Sequence, residues 1–267
     1  MAITTYDGLV SAFNSGQTFM FLKAGPANQA AGGWTSLWRV GSIPTQPNIP
    51  TATLEICTKA TLGAFNFASP SGTAVPYISR ISYMNTVSHG VFLFDRIIHN
   101  GGLKGDNTGS ISVQMSAPVS RGIASGGFGA FWFAEIYTDL GTTGTTLTAN
   151  VTKSDGASAD IALTWSGASP ANRAGRLYQI LPSGDYAIST IHSVRQTATT
   201  GVSGSFGIVL ASLITQHDSG VANIGKTLDY AQLNLPTMAS NSCIWFALLS
   251  GATAPGTIQG TFTVVNG

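Results

Sequence analysis

The chain carries few groups able to do bond chemistry: four histidines, two cysteines and 11 carboxylates in 267 residues. Their spacing is therefore informative. None of His89, His99, His192 and His217 stands in a His-x-x-x-His pattern, and Cys57 and Cys243 form no Cys-x-x-Cys, so a zinc site has little support. Asp95 and His99 are four apart, which would align them on a helix. Their segment, Val91-Phe92-Leu93-Phe94-Asp95-Arg96-Ile97-Ile98-His99, reads instead as strand, and Asp95 and Arg96 read as structural. His217-Asp218-Ser219-Gly220 holds the residue types of a nucleophilic triad. Triad members converge from different elements, so these neighbours read as a turn. There is no Gly-x-Ser-x-Gly elbow and no Gly-Lys-Thr phosphate loop. The Gly-rich run Gly101-Gly102-Leu103-Lys104-Gly105-Asp106 lacks that spacing. The acidic residues are widely spread, leaving a paired-carboxylate glycosidase unsupported. No catalytic, cofactor-binding or metal site is assigned, and the chain is expected not to be an enzyme.

Both cysteines lie in segments that read as buried strand, Leu54-Glu55-Ile56-Cys57 and Ser242-Cys243-Ile244-Trp245-Phe246, where a free thiol behaves as a small hydrophobe. A disulfide between them is possible on count, but nothing in the sequence favours one. No basic group adjoins either, so both are expected to be reduced and slow toward thiol reagents. The start, Met1-Ala2-Ile3-Thr4-Thr5, lacks the basic and apolar regions of a secretory signal, and a reducing cytoplasm is the expected setting.

Charge is scarce. Asp, Glu, Lys and Arg make up 9% of the residues, against ~25% in ordinary soluble domains. The formal net charge is +1, and the basic residues are scattered, which argues against nucleic-acid binding. The longest apolar runs, Phe131 to Ala134 and Ile244 to Leu249, fall far short of the ~18 residues of a spanning helix. With 32 glycines and abundant Ser and Thr, the chain stays soluble through hydroxyls and backbone. Such a surface is poorly defended against association, which suits a component destined for permanent neighbours.

The elements that position these residues are mostly strands. Tyr6, Leu9, Val10 and Phe13 fall at helical spacing. Thr4 or Thr5 can cap that helix, Asp7 suits its first turn, and Gly16 stops it. The alternative is a short arm that orders only on a partner. Thr18 to Lys23 reads as a first strand. Ala24 to Pro50 is irregular, punctuated by Gly25-Pro26, Gly32-Gly33, Pro44, Pro47 and Pro50. Within it, Trp34 and Trp38 must be buried against something, either a partner or the core. Further strands are expected at Thr53 to Lys59, Ile78 to Met84, Val91 to Ile98, Ser110 to Met115, Gly129 to Thr138, Thr145 to Thr152, Ala159 to Trp165 and Arg176 to Ile180. Tyr186 to Arg195, Gly204 to Thr215, Cys243 to Leu249 and Gly256 to Val265 complete the set. Thr146 to Thr152 alternates cleanly, and Lys153-Ser154-Asp155-Gly156 supplies a hairpin turn after it.

The expected fold is mainly β: a β-sandwich or jelly roll with a short N-terminal helix and an irregular Gly/Pro-rich extension. A loose boundary near Gly101 to Asn107 would separate an N-terminal region, 1–104, from a β-sandwich, 105–267. A single domain is the alternative.

Several segments resemble a group of tailed-phage virion structural proteins of similar length. They are Ala31-Gly32-Gly33-Trp34-Thr35-Ser36-Leu37-Trp38-Arg39, Leu93 to Leu103, and Leu147 to Gly156. Asn172-Arg173-Ala174-Gly175-Arg176, followed by Leu181-Pro182-Ser183-Gly184-Asp185, is a fourth. The resemblance implies a β-rich capsid or tail component, foremost a head decoration (cement) protein. Its partners would be the major capsid protein and copies of itself, as a homotrimer in the virion, assembled in the host cytoplasm, with no nucleic acid or membrane contact. Tyr6, Leu9, Val10, Phe13, Trp34, Trp38 and Arg39 are the candidate interface residues. The alternative is a tail or fibre protein binding a host surface glycan.

Overall fold

The structure, a computed structural model, describes residues 3, 5–27, 29–165, 173–218 and 220–267. In chain order the first half contributes α1 (Tyr6–Asn14), β1 (Gln17–Ala24), β2 (Trp34–Ser36), β3 (Ser42–Ile43), β4 (Glu55–Ile56), β5 (Pro76–Asn85), β6 (His89–Lys104) and β7 (Ile111–Ser116). The second contributes β8 (Ala130–Thr138), β9 (Thr145–Lys153), β10 (Ser158–Trp165), β11 (Arg176–Gln179), β12 (Ile188–Gln196), β13 (Ser205–Asp218), β14 (Gly225–Leu228), α2 (Tyr230–Leu233), β15 (Ile244–Ser250) and β16 (Thr257–Asn266). The mainly β expectation holds.

Six strands close into a ring. The order β13-β8-β11-β2-β15-β6 is completed by pairing of β13 with β6, and β4 extends the edge of β6. Two further sheets cover this barrel. One is five-stranded, β14-β5-β16-β1-β3, and the other four-stranded, β10-β9-β12-β7.

Burial patterns explain the layering. β9 and β10 alternate buried with more exposed positions, as strands with one wet face do. The first eight residues of β13 are all buried, and β6 is buried almost continuously from Val91 to Leu103. Those strands have both faces covered. Three apolar clusters follow. Phe92, Phe94, Phe131, Phe133, Leu177, Val209, Ala211, Trp245 and Ala247, with Trp34, fill the ring from all six of its strands. Trp132, Ile136 and Phe206 on the outer wall pack on Val113, Leu147, Val151 and Ile191 of the four-stranded sheet. Leu93, Ile244 and Phe246 on the other side pack on Phe21, Ile81 and Phe262 of the five-stranded sheet.

The helix is capped as its sequence suggests: the Thr5 hydroxyl accepts from the Gly8 amide at 3.1 Å. Thr4 lies outside the described residues. Gly101 and Gly102 do not mark a loose boundary. They sit inside β6, where a Cβ on Gly101 would come within 2.2 Å of the Pro50 carbonyl oxygen. Their amides instead bond Thr51 and Pro50. Strands from either side of residue 104 pair in two of the three sheets, β1 and β5 with β16 and β6 with β13 and β15. The four-stranded sheet lies wholly after residue 104, and the other two draw strands from both sides of it. Of Thr53 to Lys59 only Glu55–Ile56 is strand, while β2, β3, β14 and α2 arise where no element was expected.

Candidate functional site

A charged cluster sits at one end of the barrel. Arg96 on β6 follows Phe92 and Phe94 along the inward face, and Glu135 and Tyr137 on β8 follow Phe131 and Phe133. The Arg96 guanidinium, 0% exposed, donates to Glu135 Oε2 at 2.7 Å and to the Tyr137 hydroxyl at 3.4 Å. Its carbon lies over two indoles, 4.8 Å from the Trp38 ring centre and 5.3 Å from that of Trp245. Ser36 on β2 donates to the other Glu135 oxygen. Burial opposes the charge on Arg96, but Glu135 and Tyr137 more than compensate and hold its pKa above the usual value. Burial first, then Glu135, raises Tyr137, which stays a neutral phenol.

Next to this pair is a thiol–imidazole–carboxylate chain. Cys57, just beyond β4, places Sγ 3.4 Å from His99 Nδ1, and His99 Nε2 meets Glu55 Oε2 at 2.9 Å. Arg96 Nε donates to the same Nδ1 at 3.0 Å. That nitrogen must accept, so the proton sits on Nε2 and points to Glu55. The Cys57 thiol is pulled well below its ordinary range, chiefly by the neighbouring Cys243 thiol, against burial and with help from the Arg96 charge. Cys243 is pushed up by burial and by the Cys57 sulfur. The expectation that no basic group adjoins either cysteine is therefore corrected. The sequence neighbours of Cys57 are apolar or uncharged, and its basic partners arrive from β6.

The order carboxylate, imidazole, thiol is that of a nucleophilic triad. Access separates it from one: Cys57 is 0% and His99 3% exposed, and only Glu55 reaches solvent. A second ion pair lines the flank. Arg121 grips Asp95 with two bonds and donates to the Cys57 carbonyl at 2.6 Å, while Asp95 also accepts from Ser242 Oγ and the Cys243 amide at 2.7 Å each. Asp95 and Arg96 are structural, as expected, but each pairs elsewhere. Among the described residues no group of three His, Cys, Asp or Glu could hold a metal ion.

The candidate interface residues separate. Tyr6 and Val10 point outward, 71% and 42% exposed, whereas Leu9 is buried and Phe13 meets Tyr230 edge to face at 5.8 Å. Trp38 is 1% exposed inside the barrel end, and Trp34 lies among the lining rings, 4.4 Å from Phe92. Of the two tryptophans, read as buried against either a partner or the core, Trp34 lies on β2 of the barrel wall and Trp38 just beyond it, buried beside Arg96. Arg39 is half-buried and donates to the Pro47 carbonyl at 2.8 Å.

The outer face of the five-stranded sheet is open instead. A groove of about 630 Å³ is lined by Met20, Leu22, Ile43, Met84, Thr227 and Thr261, among others. Met20 is 60% and Ile43 40% exposed there. Hydroxyl pairs cross the same face, Thr18 with Thr263 at 3.0 Å and Ser82 with Thr227 at 2.9 Å.

His217 begins the segment read as a turn; it and Asp218 lie on β13, and Ser219 is outside the described residues. Its Nε2 meets Thr215 Oγ1 at 3.0 Å. Burial, then nearby Lys226, lowers its pKa to about 4. A base held neutral in the fold but ordinary when unfolded contributes stability that is full above pH 6.5 and is lost as pH falls toward 4. His217→Gln should flatten that part of the profile of urea midpoint against pH. A native His217 ring proton titrating near 6.5 would contradict this.

Compared with known protein families, with characterised proteins and with solved structures, the chain finds no match.

Proposed function

We propose that this chain is a non-enzymatic virion structural protein, a head decoration protein that binds the assembled capsid as a homotrimer. The observation that carries the proposal is the groove on the five-stranded sheet: an exposed face of thioether, aliphatic and hydroxyl groups on a chain that is 9% charged. A groove with one charged residue, Lys226, in its lining suits a lattice partner, the major capsid protein or another copy of the chain. The closed barrel supports the same reading, because its reactive groups face inward. The sandwich or jelly-roll expectation enters in one respect: the four-stranded sheet packs on the barrel wall through a shared apolar core. Binding only to the assembled shell would stabilise it by mass action and multivalency.

Met20→Lys with Ile43→Lys should leave the melting temperature within a few degrees and lower particle occupancy at least tenfold. That follows if burying a charge in the contact costs about 1.4 kcal/mol or more. Wild-type occupancy would remove this face from the contact.

A tail or fibre protein binding a host glycan is the second reading. One observation favours it: Phe128 and Tyr186, 52% and 44% exposed, flank the β9–β10 turn, where Lys153 Nζ lies 3.9 Å from the Tyr186 ring. Exposed rings beside polar groups suit sugar stacking. Loss of host-cell binding in Phe128→Ala with Tyr186→Ala, with particle occupancy intact, would favour this reading over the first.

A further inference from the structure

β4 and β15 run in the same direction along one edge of β6 and meet end to end. Ile56 pairs with Ile98 and the Cys57 amide bonds the Ile97 carbonyl, while the Arg96 amide bonds the Cys243 carbonyl and Ile244 pairs with Asp95. Cys57 and Cys243 thus occupy successive rungs of a single edge, although they are far apart in sequence. Neighbouring positions can be bridged when both side chains turn to the same side of the sheet, as shared membership of the barrel cluster indicates here. Both thiols are free, and both belong to the cluster that fills the barrel. A cleft of about 320 Å³ lined by Asp95, Arg121 and Ser242 opens beside them. Arg121 holds the Cys57 carbonyl, and Ser242 is the residue before Cys243.

We propose that Cys57 and Cys243 are an oxidisable pair, in which hydrogen peroxide entering by this cleft converts Cys57 to a sulfenic acid and Cys243 resolves it to an intramolecular disulfide joining β4 to β15. The Cys57 thiolate attacks one peroxide oxygen. The O–O bond breaks and hydroxide leaves. The Cys243 sulfur then attacks Cys57 sulfur, the S–O bond breaks, and the departing hydroxide takes the Cys243 proton to become water. Two electrons pass from the thiols to the peroxide. The surroundings divide the roles: His99 Nδ1 lies 3.4 Å from the Cys57 sulfur, and Arg96 donates to the same ring. Bulky thiol reagents remain slow, because both sulfurs are buried. The disulfide would tie the irregular segment around β4 into the barrel wall.

The test is exposure of the folded wild-type chain to hydrogen peroxide, then denaturation in iodoacetamide and mass spectrometry. The expected result is a 57–243 linked peptide, an intact mass lower by about 2 Da from loss of two hydrogens, no alkylation, and a higher melting temperature than the untreated chain. With dimedone present, the adduct should appear on Cys57. In Cys243→Ser the sulfenic acid should persist at Cys57, and Cys57→Ser should leave Cys243 unoxidised. If either variant fails to fold, the wild-type dimedone experiment assigns the roles alone. Two free thiols after treatment that fully oxidises glutathione, linkage only between molecules, or dimedone on Cys243 would each overturn the proposal.

Discussion

Glu135→Ala is expected to remove about 3–5 kcal/mol of folding stability, because it strands the Arg96 guanidinium inside the barrel without its counter-ion. Domains of ordinary stability have about 5–15 kcal/mol in total, so the variant should melt far below the wild type or fail to fold. The loss comes from the partner left behind more than from the pair itself. Arg96 Nη1, Trp38 Nε1 and Trp245 Nε1 are already buried donors without a protein acceptor among the described residues. Removing Glu135 adds a full charge to that deficit. The double variant Arg96→Met with Glu135→Leu should therefore recover most of the stability lost in the single one. Urea unfolding of the three proteins checks both statements. A single variant within about 1 kcal/mol of wild type would mean the pair is effectively solvated, as exposed pairs are.

Trp38→Ala is the second large effect. A fully buried indole replaced by a methyl should cost about 3–5 kcal/mol. Here it also removes one of the two rings that the Arg96 guanidinium lies over. The loss should appear as a lowered melting temperature in the isolated subunit, before any partner is added. Trp34→Ala should cost less, since that ring is only partly buried. Normal melting with weakened particle binding would restore Trp38 to an interface role and contradict its placement in the barrel.

Much of the strand order was legible because long strands carry their own signal. β9 alternates over Thr145–Lys153, and β6 and β13 read as continuous apolar runs. Barrel closure was not legible, because it depends on β2 and β11, three and four residues long, too short to show a period. β2 also lies in a Gly/Pro-rich stretch, where hydrogen bonds to Phe246 and Gly175 of distant segments decide its path. The site was hidden for a related reason. Glu55, Cys57, Arg96, His99 and Glu135 come together only through strand pairing, and β4 supplies just one rung beside Cys57. One signal was present: Arg96 and Glu135 each interrupt an apolar run, and a charge there calls for an opposite charge from another element. The outward face of the five-stranded sheet left no sequence signal, since Met20 sits between Phe19 and Phe21.

Cryo-electron microscopy of purified particles that carry this chain tests the central claim most directly. The account predicts density for the barrel and its two covering sheets at symmetric positions on the head, in threefold clusters, with the Met20 and Ile43 face against a neighbour. Density confined to the tail or fibres, or particles complete without the chain, would contradict it.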